Sequence, residues 1–206
     1  MKKILCLMLV LVLSFGIVSC KKDKGDDNTD NNANTNNTAT VSFETFAAAI
    51  ANNNASAVVV DITTATALGD LTAKYEIYFA ADGSATVKYE YERFLEFGEG
   101  SADDIKTTVD GTVYRDKDGK YSDTAGIDVS AVSASTALNI TSLKANASIN
   151  TSGDELNVVV AKANTADVFG TAFSSDVALK IVLDGEKLAK IELTSSDRDI
   201  VYTYGN

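Results

Sequence analysis

The sequence predicts an α+β fold that is mainly β, with an antiparallel meander sheet and one N-terminal helix. Two observations predict this fold. Apolar and polar residues alternate through most of the chain after the first helical segment, which is the period of a half-buried strand. The strand candidates also follow one another through short turns, without the crossover helices that parallel strands require. A half-barrel, a closed barrel and a sandwich all satisfy this pattern, within a single β-rich domain over residues 41–206.

The predicted helix opens this domain. Ser42 is a good N-cap residue, and Asn52 begins a run of three asparagines that ends the helix. Between these two residues, apolar side chains recur at helical spacing, namely Phe43, Phe46, Ala47 and Ile50. One amphipathic helix is therefore expected to pack against the sheet.

Two β-hairpins are predicted around Asp82-Gly83 and Asp184-Gly185. Asp-Gly pairs tolerate the positive φ angles of tight turns, and β-branched and aromatic residues suit a half-buried strand. Alternating apolar residues flank the first turn (Tyr75, Ile77, Phe79, then Val87, Tyr89, Tyr91) and the second turn (Val177, Leu179, Ile181, Leu183, then Leu188, Ile191, Leu193). A last strand is expected from Ile200 to Tyr204.

The remaining strand candidates lie between and before these hairpins. They cover Val58 to Thr63, Thr107 to Arg115, Ile127 to Val132, Ala137 to Ile149, and Leu156 to Ala161. Asp103-Asp104 and the segment from Asn164 to Phe173 are predicted as loops or short helical turns. Strands therefore dominate the expected fold.

The first twenty residues carry the clearest motif of the chain. Lys2 and Lys3 precede an apolar run from Ile4 to Val18, and Ser19 supplies a small residue before Cys20. A basic start, an apolar centre of about 7–15 residues and small residues before the cleavage site define a secretory signal peptide. The apolar run is too short to span a bilayer comfortably, which takes about 20 helical residues.

This motif resembles the signal sequence and lipobox of bacterial lipoproteins. The resemblance implies that residues 1–19 are removed and that Cys20 carries a diacylglyceryl thioether and an acylated amino terminus, and so palmitate-type chains. It also implies a protein of the bacterial cell envelope that contacts the membrane through its N-terminal lipid. Lys21 lacks the aspartate of inner-membrane retention, and the acidic residues that follow resemble surface-export signals, so an outer-membrane protein exposed at the surface is expected.

Residues 20–40 are expected to tether the domain to this lipid. The segment after Cys20 is rich in lysine, aspartate, asparagine and threonine and contains almost no apolar residue. Such a composition cannot bury enough surface to offset the entropy of ordering. A coil of this length spans on the order of 25 Å, and about 65 Å when fully extended. The domain is therefore expected to stand away from the membrane.

The composition excludes several kinds of chemistry. The 206-residue chain contains no histidine, and its two cysteines are Cys6, which is lost with the signal peptide, and Cys20. Catalytic triads that use histidine, and zinc sites built from cysteine or histidine, are therefore excluded. The net charge of −11 makes nucleic acid an unfavourable partner, because neutralising phosphates requires clustered lysine and arginine. We expect a protein that is not an enzyme, with no cofactor, no metal and no catalytic residues.

Two acidic clusters are candidate sites. Asp116-Lys117-Asp118-Gly119 suggests a calcium loop, but aligning Gly119 with the glycine of an EF-hand leaves both end ligands missing, so a turn is expected. The second cluster could supply a carboxylate pair for glycoside hydrolysis. Its alternation with apolar neighbours instead predicts a solvated strand face, and its members are Glu90, Glu92, Glu96 and Glu99.

Tyrosines are the remaining candidates for ligand contacts. A tyrosine combines a large apolar ring with a polar tip and could stack on a sugar or an apolar ligand. The candidates are Tyr89, Tyr91, Tyr202 and Tyr204, and packing in the core explains the same pattern. The function predicted first is a lipid-anchored envelope protein whose domain binds a protein or a glycan, or coats the cell.

The alternative function is a carrier of lipid or another apolar ligand. A helix followed by a long antiparallel sheet resembles the half-barrel of lipoprotein-localisation and glycolipid-carrier proteins. The resemblance lies in the order of elements across residues 42–206 and implies a large apolar cavity between sheet and helix. A binding or coat domain is expected instead to have a filled core, and this is the interior that we predict.

Overall fold

The computed structural model describes residues 41–101, 103–122 and 138–205. The predicted signal peptide, the tether with Cys20, and the strand candidate at residues 127–132 lie outside these ranges. All the described residues belong to one compact unit.

The described residues form nine strands and three short helices. Their bounds are α1 (Phe43–Ala51), β1 (Ala57–Thr64), β2 (Leu71–Phe79), β3 (Ala85–Phe94), β4 (Lys106–Arg115), α2 (Ile140–Asn146), β5 (Ala147–Ser152), β6 (Glu155–Val160), α3 (Thr165–Phe169), β7 (Val177–Asp184), β8 (Lys187–Thr194) and β9 (Arg198–Gly205). A short 3-10 turn, Lys162–Asn164, leads into α3. None of these helices has the length and apolar character needed to cross a membrane.

All nine strands belong to one antiparallel sheet, in the order β4-β3-β2-β1-β9-β8-β7-β6-β5. Strands β1 to β4 form one meander and β5 to β9 form a second, and the pairing of β1 with β9 joins them. Among the described strands, β4 and β5 are the two edges, so the sheet is open. The predicted fold class is confirmed, and the architecture is a single open sheet rather than a closed barrel or a two-sheet sandwich.

One face of the sheet, the inner face, carries the hydrophobic core. Strand alternation and antiparallel register align side chains in rows that cross every strand. One such row runs from β4 to β5 through Gly111, Tyr89, Tyr75, Val60, Tyr202, Ile191, Ile181, Leu156 and Thr151. The six central members of this row are buried. The register thus converts a period of two along each strand into a continuous apolar surface.

The helices pack mainly over the second meander. Helix α1 contacts β7 and β8 and buries Phe46 and Ala49, while α2 contacts β5 and α3 and buries Leu143. The N-cap of α1 is the one expected from the sequence, because Ser42 Oγ accepts a hydrogen bond from the Thr45 backbone N–H at 3.3 Å. Beside α3, the rings of Phe169 and Phe173 pack edge to face with centroids 5.5 Å apart.

The prediction of a strand from Ala137 to Ile149 is wrong for its central part. Residues 140–146 form α2, and only the last three residues of the candidate belong to β5. The helix begins at Asn139, whose side-chain oxygen accepts a hydrogen bond from the Ser142 backbone N–H at 3.1 Å. Burial of Leu143 against α3 and the core then outweighs the strand-like alternation of the neighbouring apolar residues.

The opposite face of the sheet is polar and carries exposed ion pairs. They join Lys74 with Glu76 at 3.1 Å and Lys180 with Glu155 at 2.7 Å, and also Lys190 with Glu192. Exposed pairs of this kind contribute little to stability, about 0–1 kcal/mol each. Their effect is to keep this face soluble while the inner face is buried.

Candidate functional site

The four tyrosines predicted as ligand contacts occupy two environments. Tyr202 and Tyr204 of β9 are buried, with exposed fractions of 2% and 6%. Tyr89 and Tyr91 of β3 are half-buried, and their rings stack with centroids 6.1 Å apart and planes inclined by 28°. The structure therefore brings Tyr89 and Tyr91 together near the surface and holds Tyr202 and Tyr204 in the core.

A glycine on the neighbouring strand determines the position of Tyr89. Gly111 of β4 lies directly opposite Tyr89, and a Cβ added at Gly111 would collide with the Tyr89 phenol. The ring thus lies on bare backbone, an arrangement that also shields a glycine near a sheet edge. Because Tyr91 stacks on Tyr89, this glycine indirectly supports Tyr91 as well.

Tyr91 lines a groove of about 260 Å³ on the inner face. The groove lies where β1, β2 and β9 meet the end of β3. Its inner-face residues are Ile62, Thr64, Leu71, Ala73, Tyr75, Tyr91 and Arg198, and Thr72 and Glu92 of the polar face complete its lining. We call it the tyrosine groove. It combines an aromatic ring and aliphatic walls with polar groups, among them the Thr64 hydroxyl, the Tyr91 phenol, the Glu92 carboxylate and the Arg198 guanidinium.

Arg198 is the charged residue of the tyrosine groove. It is the first residue of β9 and pairs with Thr64 of β1. The turn before it is closed by Ser195, whose hydroxyl accepts a hydrogen bond from the Arg198 N–H at 3.0 Å and donates one to the Arg198 carbonyl at 2.8 Å. The backbone of Arg198 is therefore fixed, while its side chain is exposed. Arg198 was not among the residues that the sequence predicted as ligand contacts.

Glu90 and Glu92 lie on the polar face of β3, as predicted, whereas the prediction of a strand face is wrong for Glu96 and Glu99, which lie in the loop after β3. Glu92 pairs with Lys106 at 3.0 Å and accepts hydrogen bonds from the Thr72 N–H and hydroxyl at 2.9 and 3.0 Å. Lys106 and then Thr72 hold the pKa of Glu92 below its usual range. Among the described carboxylates, every shift in pKa that is resolved is downward, at Glu44, Glu76, Asp82, Glu92, Glu99 and Asp197. These groups stay ionised near neutral pH.

The Asp116 segment forms a turn, as predicted. Asp116 Oδ1 accepts hydrogen bonds from the backbone N–H groups of Asp118 and Lys120 at 3.0 and 2.8 Å. Gly119 takes a φ of +84°, which closes the turn. The Asp116 carboxylate is thus directed at its own backbone. Within the described part of the chain, no three carboxylates converge as metal ligands would.

The space between α3 and the sheet is almost filled. The described residues enclose an apolar cavity of about 30 Å³ there, lined by Leu138, Phe169, Thr171, Phe173, Ile191, Leu193, Ile200 and Tyr202. Pockets for small organic ligands typically measure about 300–1,000 Å³. In this conformation the cavity has room for a water molecule or two but not for an acyl chain.

The buried Tyr204 is expected to make the free energy of unfolding fall at alkaline pH. Burial, and then the charge of nearby Tyr202, raise the pKa of Tyr204 well above its usual range. The neutral phenol is therefore favoured in the folded state, whereas an unfolded tyrosine ionises at about pH 10. We expect stability to be unaffected by Tyr204 below that pH and to fall as the pH rises above it. Urea unfolding followed between about pH 8 and pH 11 measures this loss.

The Tyr204→Phe variant is the control for this titration. It keeps the ring in the core and removes the ionisable hydroxyl, so its stability should decline less steeply above about pH 10 than that of the parent chain. Parallel curves for the two proteins would show that other groups set the alkaline limit.

Comparisons with known proteins identify no family. No protein-family model matches the chain, and no curated protein matches it. Among solved structures, the chain is similar to the crystal structure of LprF from Mycobacterium bovis, with 9% sequence identity and a TM-score of 0.40. The similarity covers 80% of this chain and 91% of that chain. Function is therefore inferred from the residues of this chain alone.

Proposed function

We propose that this chain is a lipid-anchored protein of the bacterial cell envelope, carried on the outer membrane, whose β-rich domain binds a surface glycan in the tyrosine groove without catalysis. The anchor half of the proposal rests on the motif that ends at Cys20. The binding half rests on one observation, the half-buried Tyr91 that stacks on Tyr89 and lines an open groove beside Arg198.

A sugar ring matches the chemistry of this groove. Its C–H faces are apolar and stack on an aromatic ring, while its hydroxyls need directional hydrogen bonds at the ring edge. The Tyr91 ring and the aliphatic side chains of Ile62, Leu71 and Ala73 supply the apolar contact. Thr64 and Arg198 supply hydrogen-bonding groups at the rim. The groove volume of about 260 Å³ accommodates one or two sugar rings rather than a long polymer segment.

Binding without catalysis is favoured by the charge state of the carboxylates. A glycosidase of the usual kind needs one carboxylic acid with a raised pKa that protonates the leaving group. The resolved shifts among the described carboxylates are all downward, and Glu90 and Glu92 belong to the polar face. Glu92 is the carboxylate among the described lining residues of the tyrosine groove, and its lowered pKa is the opposite of what such a proton donor needs.

A carrier of apolar ligands is the competing function. It would require the 30 Å³ cavity beside α3 to expand several-fold before an acyl chain could enter. A native mass spectrum of the soluble domain that shows a bound lipid would favour the carrier over the glycan-binding protein.

The glycan-binding proposal is tested on a printed array of bacterial and host polysaccharides, with the soluble chain starting at Lys21. We expect the parent chain to bind at least one class of glycan and Tyr91→Ala to bind it about two- to tenfold more weakly, because an aromatic contact contributes about 0.5–1.5 kcal/mol. Arg198→Ala, which changes an exposed side chain, should weaken the same binding without affecting the fold.

Tyr78→Ala provides the matched control for Tyr91→Ala. Tyr78 is an exposed tyrosine of β2 on the polar face, where its hydroxyl donates a hydrogen bond to Glu76 at 2.9 Å. Its removal should leave glycan binding unchanged. A parent chain that binds no glycan, or three variants with equal affinity, would contradict the proposal.

A further inference from the structure

Three exposed apolar side chains lie at one end of the sheet. This end, which we call the distal end, contains the β1–β2 turn (residues 65–70), the β3–β4 loop (residues 95–105) and the β8–β9 turn (residues 195–197). Leu68 and Ile105 are 66% and 57% exposed, and Phe97 is fully exposed. We call these three side chains the apolar tip. Single exposed apolar residues are common, but three at the same end of the sheet, one of them a fully exposed phenylalanine, make this end a candidate interaction site.

The loop that presents Phe97 is held by its own hydrogen bonds. Arg93 forms a bidentate pair with Glu99 at 3.0 and 3.1 Å. Oε2 of the same carboxylate also accepts a hydrogen bond from the Glu96 N–H at 3.0 Å. The base of the loop is closed by the Leu95 N–H and the Ile105 carbonyl at 3.1 Å. This bracing fixes an exposed apolar residue that contributes no burial to the fold. Such preorganisation reduces the entropy lost on binding.

Glycine at position 100 is part of the same bracing. Its φ of +70° is unfavourable for other residues, and a Cβ there would lie 2.7 Å from Leu95 Cδ1. Below it, Ser101 Oγ donates a hydrogen bond to Asp104 Oδ2 at 2.9 Å. Lys106 then connects the loop with the adjacent turn, because its Nζ donates to the Asp70 carbonyl at 3.0 Å. The two segments that carry the apolar tip are therefore tied together.

Charge around the apolar tip defines the kind of partner. Residues 95–105 contain four acidic residues, Glu96, Glu99, Asp103 and Asp104, and no basic residue. Arg93 and Lys106, which flank this loop on β3 and β4, are paired with Glu99 and Glu92, and the exposed Arg198 at the same end of the sheet belongs to the tyrosine groove. The tip is thus an apolar contact with an acidic rim. Complementary surfaces match apolar with apolar and acidic with basic.

The apolar tip faces away from the point where the chain enters the domain. Val41 lies at the opposite end of the sheet, where its N–H donates a hydrogen bond to the carbonyl of Gly153 in the β5–β6 turn. The acidic rim is also repelled by anionic lipid, which attracts basic segments instead. Self-association through two acidic tips is likewise disfavoured in a chain of net charge −11.

From these observations we infer that the distal end docks through Leu68, Phe97 and Ile105 onto another envelope protein, at an apolar pocket rimmed by lysine and arginine. Phe97 fills the pocket, and the carboxylates of Glu96 and Asp103 pair with the basic rim. This docking is independent of the glycan proposed for the tyrosine groove, since none of the three tip residues lines that groove.

The test uses the full chain in its native host, with Phe97 replaced by the photo-crosslinker p-benzoylphenylalanine. We expect irradiation to produce one discrete protein adduct whose cross-linked peptide maps to an apolar pocket flanked by lysine or arginine. The double change Glu96→Lys and Asp103→Lys should lower the yield of this adduct roughly tenfold, the lower end of the effect that charge complementarity has on association rates. The same cross-linker at Tyr114, an exposed tyrosine at the opposite end of the sheet, should not give this adduct.

Each other outcome overturns the inference. An adduct with phospholipid would assign the tip to a membrane, and an adduct with a second copy of this chain would assign it to self-association. If the yield of the protein adduct is the same after the two charge reversals, the pocket on the partner is not rimmed by basic residues. If position 97 gives no adduct, the distal end is not a docking site. Tyr91→Ala should leave the adduct intact, which distinguishes this test from that of glycan binding.

Discussion

Replacing Cys20 by alanine is expected to abolish labelling of the protein by a palmitate analogue and to release it from membranes. The thiol is the attachment point that the lipobox resemblance implies, and without it no thioether can form. Each buried methylene of an acyl chain contributes about 0.8 kcal/mol, and stable anchoring requires more than one chain or signal. In-gel detection of the analogue and fractionation of lysed cells measure the two effects.

Cys6→Ala is the matched control for the anchor. Cys6 is the other cysteine of the chain and lies within the apolar run that is predicted to be removed. Its replacement should leave both labelling and membrane association unchanged. Persistent labelling of Cys20→Ala, or loss of labelling in Cys6→Ala, would contradict the assignment of the lipid to Cys20.

Replacing Phe46 by alanine is expected to destabilise the domain by about 3–5 kcal/mol, the usual effect of removing a fully buried phenylalanine. Phe46 is 0% exposed and belongs to the face of α1 that covers β7 and β8. The loss combines the transfer of the ring from the core with the cavity that remains. Since domains are typically stable by about 5–15 kcal/mol, this loss removes a large fraction of the free energy of unfolding. Urea unfolding of the soluble chain from Lys21 gives the difference.

Phe43→Ala is the matched control for Phe46→Ala. It makes the same change in the same helix at a less buried position, so the difference between the two variants reports burial and not helix propensity. Phe43 begins the same helix, but it is only half-buried, and its ring lies 5.5 Å from the ammonium of Lys144. Its removal should cost about 1–2 kcal/mol, the sum of partial burial and an exposed cation–π contact. Equal losses for the two variants would mean that α1 does not seal the core through Phe46.

Local patterns determined most of the secondary structure of this protein. The β2–β3 hairpin follows from period-two alternation on either side of Asp82-Gly83, and Gly83 takes the positive φ that this pair permits. The Ser42 cap and helical spacing define α1 in the same way. These features depend on residues within a few positions of one another, so the chain itself carries the information. The wrong prediction of a strand at α2 also comes from local patterns. The seven residues of this helix have a mixed pattern and are too few to distinguish a helix from a strand.

Local sequence patterns predict only part of the candidate site. Tyr89 and Tyr91 share their alternation with Tyr202 and Tyr204, and nothing in the sequence separates the two pairs. The apolar tip has a local signal in the sequence, because Phe97 lies between Glu96 and Gly98 in a segment without other aromatic residues. Arg198 and Gly111 carry no local signal, because their roles depend on strands that are distant in sequence.

By itself, the sequence determined the anchor motif, the absence of histidine and thiol chemistry from the domain, and a sheet of alternating strands. Only the tertiary structure decided that the sheet stays open, that β9 pairs with β1 in its centre, and that Tyr91 lines a groove while Tyr202 is buried. The physical reason is that burial depends on which elements cover a strand. Tyr202 faces Val60 and Ile191 in the middle of the sheet, whereas Tyr91 faces Ala73 and Val109 near one end of it.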